Sequence, residues 1–398
     1  MRYVIILLAL GAGDPAVKVL PPVSEPDWAA WKDVDLEAKQ PAMEAWSVLR
    51  EFRPDRVYET DAEQEEAEGK VEAVYGVLDA NPDAACAAGV ELLRSAKSDW
   101  ERMMVATTLD QLGGEQGEPF LVWAMAKCTS VDSAFEPLFY TACRLASKRR
   151  EQYLPALFAV LRTRDGQVNL PVHAWSIPTH ECLYYVFGRY GRDAIPYLRP
   201  MLDHSDPYVR RNAAFVLGFF MDKASKPALL KLLEAHDISS GGAAFALGEL
   251  SASEAVVPLT KLLKHADART RFWGAYGLYE ICAVESLPAL EAAAKDEHDA
   301  QTHGEMQATI DYLRSGPASS SDAAHSLGDD KLREALAKAR KAKGLNGDLV
   351  GIVASSGCAE LDQLEEIRLM TMDIPSDMGH KWFRRWTDVI KELRRRCD

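Results

Sequence analysis

The chain has 398 residues, 47% hydrophobic and 27% charged, and this supply of apolar side chains excludes wholesale disorder. Its formal charge of −14 sets most of the surface against phosphate backbones and anionic membranes, so nucleic acid is not an expected partner. The length exceeds one ordinary core and predicts two or three domains, unless the chain is a stacked repeat array, which escapes that limit.

At the start, "MRYVIILLALGAGDPA" joins one Arg, an apolar run from Tyr3 to Leu10, and the small residues Gly11, Ala12 and Gly13. That is the shape of a secretory signal. The run is shorter than the roughly 20 apolar residues that cross a bilayer, so no membrane span is predicted. Residues 1–13 are read as a signal peptide and the protein as exported or periplasmic; the alternative is a cytoplasmic protein whose first element is buried. Residues 14–83 form a Pro-rich leader and a helical N-terminal cap. Trp28, Trp31 and Trp46 have charges between them at helical spacing, which predicts the buried side of helices rather than a ligand box.

A repeat array is expected over 84–314. Pro196, Pro227, Pro258 and Pro288 fall 31, 31 and 30 residues apart, each in a short apolar frame such as "SKPALLKLL". Proline in a helix's first turn loses no intrahelical hydrogen bond. A second helical pattern follows each proline, as in "DPYVRRNAAFVLGFF", "ISSGGAAFALGEL" and "DARTRFWGAYGLYEI". Across these copies small residues recur at Ala213–Ala214, Ala243–Ala244 and Gly274–Ala275. An aromatic follows each pair, at Phe215, Phe245 and Tyr276, and Leu217, Leu247 and Leu278 fill the seam. Asp206 and Asp267 are placed as N-caps. Each unit is two antiparallel helices whose apolar faces a lone hairpin cannot bury and stacking can.

These residues resemble the HEAT repeat, in particular its phycobilisome-lyase-like variety: a proline in the first helix, then Asp, Val-Arg and Ala-Ala-x-Ala-Leu-Gly in the second. "DPYVRRNAAFVLG" fits that frame nearly letter for letter. With it as a ruler, fainter copies appear in "WERMMVATTLDQLG", "DSAFEPLFYTACRLA", "HECLYYVFGRYG" and "DAQTHGEMQATIDYL", while "TRDGQVNLPVHAWSIP" lengthens one unit. The resemblance implies an all-α fold, a right-handed, armadillo-like α-solenoid of about seven HEAT-like helical hairpins with helical N- and C-terminal caps. Beyond the array, 315–330 has linker composition and 331–398 reads as a helical C-terminal cap or small domain, with Asp348 and Ser376 as N-caps and a basic end, "KELRRRC".

Chemistry is sparse. Seven cysteines are scattered without CxxC pairs, against a zinc ribbon or redox motif. "HAWSIPTHE" and "EHDAQTHGE" hold His173, His180, Glu181, His298, His303 and Glu305, but neither gives the HExxH helix face. In the repeat frame His180 and His303 occupy the place of Arg102, Arg210 and Arg271, where the HEAT family carries a structural basic residue. Deoxyhypusine hydroxylase, a HEAT-like enzyme, uses several His-Glu dipeptides for two irons; this chain has His180-Glu181 alone. Bilin lyases share the repeat, and HEAT-like alkyl-purine glycosylases need a basic face. No catalytic, cofactor-binding or metal-ligating residue is therefore assigned and no cofactor is expected. In such solenoids the second helices line the concave face, and Arg211, Phe272, Trp273 and Trp175 are taken as its interaction residues, Trp273 either presented there or packed between hairpins. The function predicted is a non-catalytic scaffold binding a protein partner. The alternative is an enzyme or enzyme subunit on the same scaffold, bilin-lyase-like or hydroxylase-like, which convergence of His180, Glu181 and His303 would favour.

Overall fold

A computed structural model describes residues 17–51, 60–129, 135–164, 167–170 and 175–315. The expectations for a signal peptide at 1–13, for a linker and C-terminal cap beyond 315, and for N-caps at Asp348 and Ser376 lie outside the described residues. These residues fall into two compact units, one running from Val19 to Tyr190 and the other from Gly191 onward together with Lys18.

In the first unit, α1 (Leu36–Glu51) and α2 (Asp61–Ala80) precede three hairpins. These are α3 (Pro82–Ser95) with α4 (Asp99–Gly113), α5 (Glu118–Lys127) with α6 (Phe135–Ser147), and α7 (Leu154–Ala159) with α8 (Thr179–Tyr190). Helix α1 packs on both α2 and α3. Trp46 is fully buried there and donates its indole N–H to the Ala85 carbonyl at 3.0 Å, so the helices before residue 83 and the first hairpin share one core. The division between the two compact units falls at 190/191. Trp28 and Trp31 are half-buried. Trp28 meets Phe120 edge-on at 5.5 Å and Trp123 at 5.0 Å, and Trp31 lies 5.9 Å from Phe120. All three tryptophans are packing residues.

Within this all-α fold the long insertion between α7 and α8 carries one small two-stranded pairing: Gln167–Leu170 (β1) runs antiparallel to Trp175–Pro178 (β2), Leu170 opposite Trp175 and Gln167 opposite Pro178. Val168 and Leu170, like Trp175 and Ile177, alternate with polar or small neighbours, the period of a strand.

The second unit carries four hairpins: α9 (Ile195–Leu198) with α10 (Pro207–Phe219), α11 (Lys226–Leu233) with α12 (Ser239–Glu249), α13 (Val256–Leu262) with α14 (Ala268–Ile281), and α15 (Leu287–Asp296) with α16 (Ala300–Ser315). The second unit is thus an α-solenoid of four helical hairpins. Pro196, Pro227 and Pro288 stand in the first two positions of α9, α11 and α15, where the absent N–H is no loss. Asp206 and Asp267 cap α10 and α14, their carboxylates accepting from Tyr208 N and Thr270 N. In the row α10–α12–α14–α16 each second helix packs on the next, and α11, α13 and α15 each lie against the second helix of their own hairpin. Close approach within the row needs small residues: a Cβ on Gly218 would stand 2.6 Å from Ala246 Cα, and one on Gly242 2.3 Å from the Arg211 carbonyl oxygen.

The ends of the second helices repeat as well. Met221, Ser251 and Cys282 take positive φ of 51°, 50° and 57°. After each, the next residue donates its N–H back five residues, Asp222 to Leu217, Ala252 to Leu247 and Ala283 to Leu278, closing the last turn.

Candidate aromatic interaction face

Helical spacing divides the residues of α14. Gly274 faces α13, where a Cβ would meet Leu262 at 3.1 Å, and Gly277 sits between α12 and α13, where one would stand 2.9 Å from the Ala244 carbonyl oxygen and 3.1 Å from Leu259. Trp273, Tyr276 and Glu280 turn towards α12, where they meet Phe245 and Gly248, and Phe272 lies beside Trp273 at the rim. The equivalent positions are Arg211, Asn212 and Phe215 on α10, Gly241, Gly242, Phe245 and Glu249 on α12, and Glu305 on α16.

These positions build a continuous ladder of rings. Phe215 lies 5.2 Å from Phe245 and 5.0 Å from Trp273; Phe245 lies 5.4 Å from Trp273 and stacks on Tyr276 at 5.6 Å. Phe272 and Tyr276 meet Trp273 edge-on at 5.0 and 5.4 Å. The centre depends on Gly241, since a Cβ there would stand 3.1 Å from Trp273 Cδ1 and push the indole off α12. Edge-to-face pairs of this kind each contribute about 0.5–1.5 kcal/mol beyond the area they bury.

Carboxylates border the rings. Tyr276 donates its phenol to Glu249 Oε1 at 2.8 Å, and Glu249 is itself buried. Burial first, then the charges of Glu249 and Glu280, push the phenol well above its ordinary range, so it stays a donor at any physiological pH. At the opposite edge the Arg211 guanidinium lies 4.9 Å from the Tyr208 ring centroid and its Nε donates to Asn212 Oδ1 at 3.3 Å.

The expected interaction residues are unequal. Arg211 and Trp273 are only 4% and 7% exposed: Trp273 packs between α12 and α14 at the hub of the ladder, and Arg211 lies over the Tyr208 ring. Phe272 is half-buried at the ladder's rim. Trp175 falls in β2, in the other unit, and its side chain lies outside the described residues. Phe215, Phe245, Tyr276 and Glu249 complete the face; the aromatic after each small pair was visible in the sequence, whereas its alignment across helices needed the stacking.

The repeat arginines have a structural task. Arg210 donates to the His204 and Ser205 carbonyls at 2.7 and 3.1 Å and to Asp237 in the next hairpin at 2.5 Å. Arg271 repeats this with the His265 and Ala266 carbonyls at 2.8 and 2.9 Å and both oxygens of Glu297 at 2.6 and 2.8 Å. The hydrogen bonds from Arg271 hold the Glu297 carboxyl down at about 2. His204 and His265 accept the backbone N–H of the capping aspartates through Nδ1 at 3.0 and 3.1 Å. In the last hairpin the Glu297 carboxylate accepts the equivalent N–H of Asp299 at 2.9 Å.

His303 is exposed on α16, and no cluster of three His, Cys, Asp or Glu suited to a metal occurs among the described residues. The side chains of His180 and Glu181 lie outside them. Cys86 and Cys128 are buried, which pushes each thiol up to about 12 and leaves it a poor nucleophile. No described helix is long and apolar enough to cross a membrane.

Against known proteins, residues 185–239 and 240–308 match the family model of HEAT repeats. The chain is also 26% identical over 194 residues to phycocyanobilin lyase subunit alpha of Nostoc sp. (strain PCC 7120), an overlap covering 45% of this chain and 68% of that relative. The span that matches the HEAT-repeat model contains the capping aspartates, the bridging arginines and the ladder.

Proposed function

We propose that the protein is a non-catalytic scaffold that binds a protein partner through the aromatic face of α10, α12 and α14. The observation that carries this is the ladder from Phe215 to Phe272, which runs across the three helices to a half-buried ring at its rim. Aromatic side chains are the anchors that protein interfaces favour, and a repeat array supplies them on a stiff, extended base.

The test is capture of partners from the native organism with tagged protein, repeated with Phe272→Ala, which removes a half-buried ring without opening the hub. A stoichiometric protein captured by the wild type and lost by at least about fivefold with Phe272→Ala supports the scaffold, since a rim aromatic contributes about 1–2 kcal/mol. A partner retained in full by Phe272→Ala would move the interface elsewhere.

A second reading is favoured by the relative, which is named a lyase subunit acting with phycocyanobilin. Flat rings bordered by the Glu249 and Glu280 carboxylates have the chemistry to hold a conjugated, partly cationic tetrapyrrole. Visible absorbance that co-purifies with the wild type and disappears in Phe245→Ala would establish it; a colourless preparation that ignores added bilin would remove it.

A further inference from the structure

In the first unit, α1 and α2 depart from the rule that small residues stand where helices touch. A Cβ on Gly218, Gly242 or Gly277 would come within 2.9 Å of a neighbouring helix, which accounts for those glycines. Gly69 and Gly76, both inside α2, would meet nothing within 4 Å, as would Gly304 on the last described helix, and glycine weakens a helix interior. Beside Gly76 a groove of about 460 Å³ opens between α1 and α2, its walls including Ala38, Pro41 and Ala42 of α1 and Ala73, Gly76 and Val77 of α2. Val77 is 42% exposed there, as is Val48, two turns beyond Pro41 on the same side of α1. Pro41 itself stands in the interior of α1, a costly place, and gives the Glu37 carbonyl no N–H to accept. The terminal element of a repeat array ordinarily turns a polar surface outward. Here an apolar groove lies open instead.

We infer that the groove between α1 and α2 is the seat of a basic, amphipathic helix of a protein partner. Charge selects the sign. Helix α2 carries seven acidic residues against the single Lys70, and Lys70 lies 2.7 Å from Glu66. The cations of α1 are turned elsewhere, Lys39 to Glu91 at 3.3 Å and Arg50 to Glu101 at 2.5 Å. Glu37 stands one turn before Pro41 and Glu72 one turn before Gly76; both are exposed, and among the described residues neither is held in an ion pair. Lys or Arg flanking an apolar stripe meets both carboxylates. Shape selects a helix. Small residues admit one closely, as Gly242 does within the row, and a helix satisfies its own backbone groups where the walls are themselves helices and offer no strand edge. A second copy of the chain is disfavoured, since the same acidic rims would face each other. The groove belongs to a different unit from the aromatic face of α10, α12 and α14, and its occupation is independent of that face.

The test is fluorescence anisotropy on the full chain with a labelled helical peptide of about 18 residues, Leu and Ala on one face and Lys and Arg on the rest, in about 150 mM salt. The wild type should bind it saturably, one to one, in the micromolar range. A scrambled peptide of the same composition should bind at least about tenfold more weakly, because scrambling keeps the charge and destroys the apolar stripe. Gly76→Leu fills the groove from a position whose Cβ meets nothing within 4 Å, so it should weaken binding about tenfold with the thermal midpoint held. Glu37→Lys/Glu72→Lys leaves the walls intact and should weaken it by a similar factor. Phe272→Ala should leave it unchanged. No saturable binding by the wild type, equal binding of the scrambled peptide, or full affinity in either groove variant would overturn the proposal. So would self-association of the wild type that Gly76→Leu abolishes, which gives the groove to a second copy, or loss of the peptide in Phe272→Ala, which moves it to the aromatic face.

Discussion

The four hairpins from α9 to α16 and the three from α3 to α8 follow one plan but are held together differently. In the later unit the links are periodic: a capping aspartate, an arginine reaching back to two carbonyls and forward to a carboxylate, and a left-handed residue ending the second helix. In the earlier unit they are local and unrepeated. Trp28, Trp31, Phe120 and Trp123 make one cluster, and Glu118 gathers Lys148, Tyr153 and Arg144 into one ionic knot. Burial pushes Glu118 up, but those hydrogen bonds and charges outweigh it and hold it below the usual carboxylate range. A periodic link can be extended hairpin by hairpin and leaves one face free for other use, whereas a cluster fixes a single place and closes an end.

The sharpest way to break this contrast is at Trp46. It is fully buried, and Trp46→Ala removes a whole indole together with its hydrogen bond to the Ala85 carbonyl, a loss of about 3–5 kcal/mol. Urea unfolding followed by hydrogen exchange should show α1 to α4 opening first while α10 to α14 keep their protection, since a repeat array loses stability regionally. Simultaneous loss of protection in both units would mean that they unfold as one.

Two glycine-to-alanine changes of opposite sign come next. Gly242→Ala forces a Cβ to 2.3 Å from the Arg211 carbonyl, so α10 and α12 must part, at about 2–3 kcal/mol. Gly76→Ala, in α2, meets nothing within 4 Å and should gain about 0.5–1 kcal/mol from helix propensity. Denaturation midpoints that move the same way in both variants would contradict the packing described for the row.

The ionic link sharpens the comparison through pH. Glu297 has a folded value of about 2 against an ordinary 4.5, held by Arg271. Being depressed, it contributes stability that is complete above about 4.5 and is lost as pH falls from there towards 2. The contribution of this almost fully covered carboxylate is roughly 2 kcal/mol, and Glu297→Gln should lower stability at neutral pH while flattening its fall between pH 4.5 and 2. An acid-unfolding slope over that window identical to the wild type's would show that Glu297 does not sense the bridge.

The repeat was legible in the sequence because its marks are chemical necessities at fixed spacing. Proline belongs in a helix's first turn, aspartate at the N-cap and small residues where helices touch, so seven hairpins could be counted before any coordinates. Arg210 and Arg271 were readable as structural for the same reason. The face was not. Whether Trp273 points to solvent or lies across its neighbour depends on Gly241 in another hairpin, and no periodicity within one helix carries that. Arg211 likewise looked like a free anchor until Tyr208, one turn earlier, was seen to hold it. The β1–β2 hairpin was missed because two four-residue strands offer too short a period-two pattern to stand out against helical neighbours.

The smallest expected effect tests the periodic helix ends. Ser251 sits at φ 50°, where a Cβ crowds the following carbonyl at about 1 kcal/mol, and the Ala252-to-Leu247 hydrogen bond keeps it there. Ser251→Gly removes that crowding but adds freedom to the unfolded chain, so the net gain should be about 0.5 kcal/mol. Met221→Gly occupies the equivalent place but gives up a fully buried side chain, so it should be destabilising despite the same backbone relief. Thermal midpoints of the two variants therefore separate backbone conformation from burial at one repeated position. Equal gains would mean that the Met221 side chain contributes nothing to the row; equal losses would mean that the left-handed turn is unstrained.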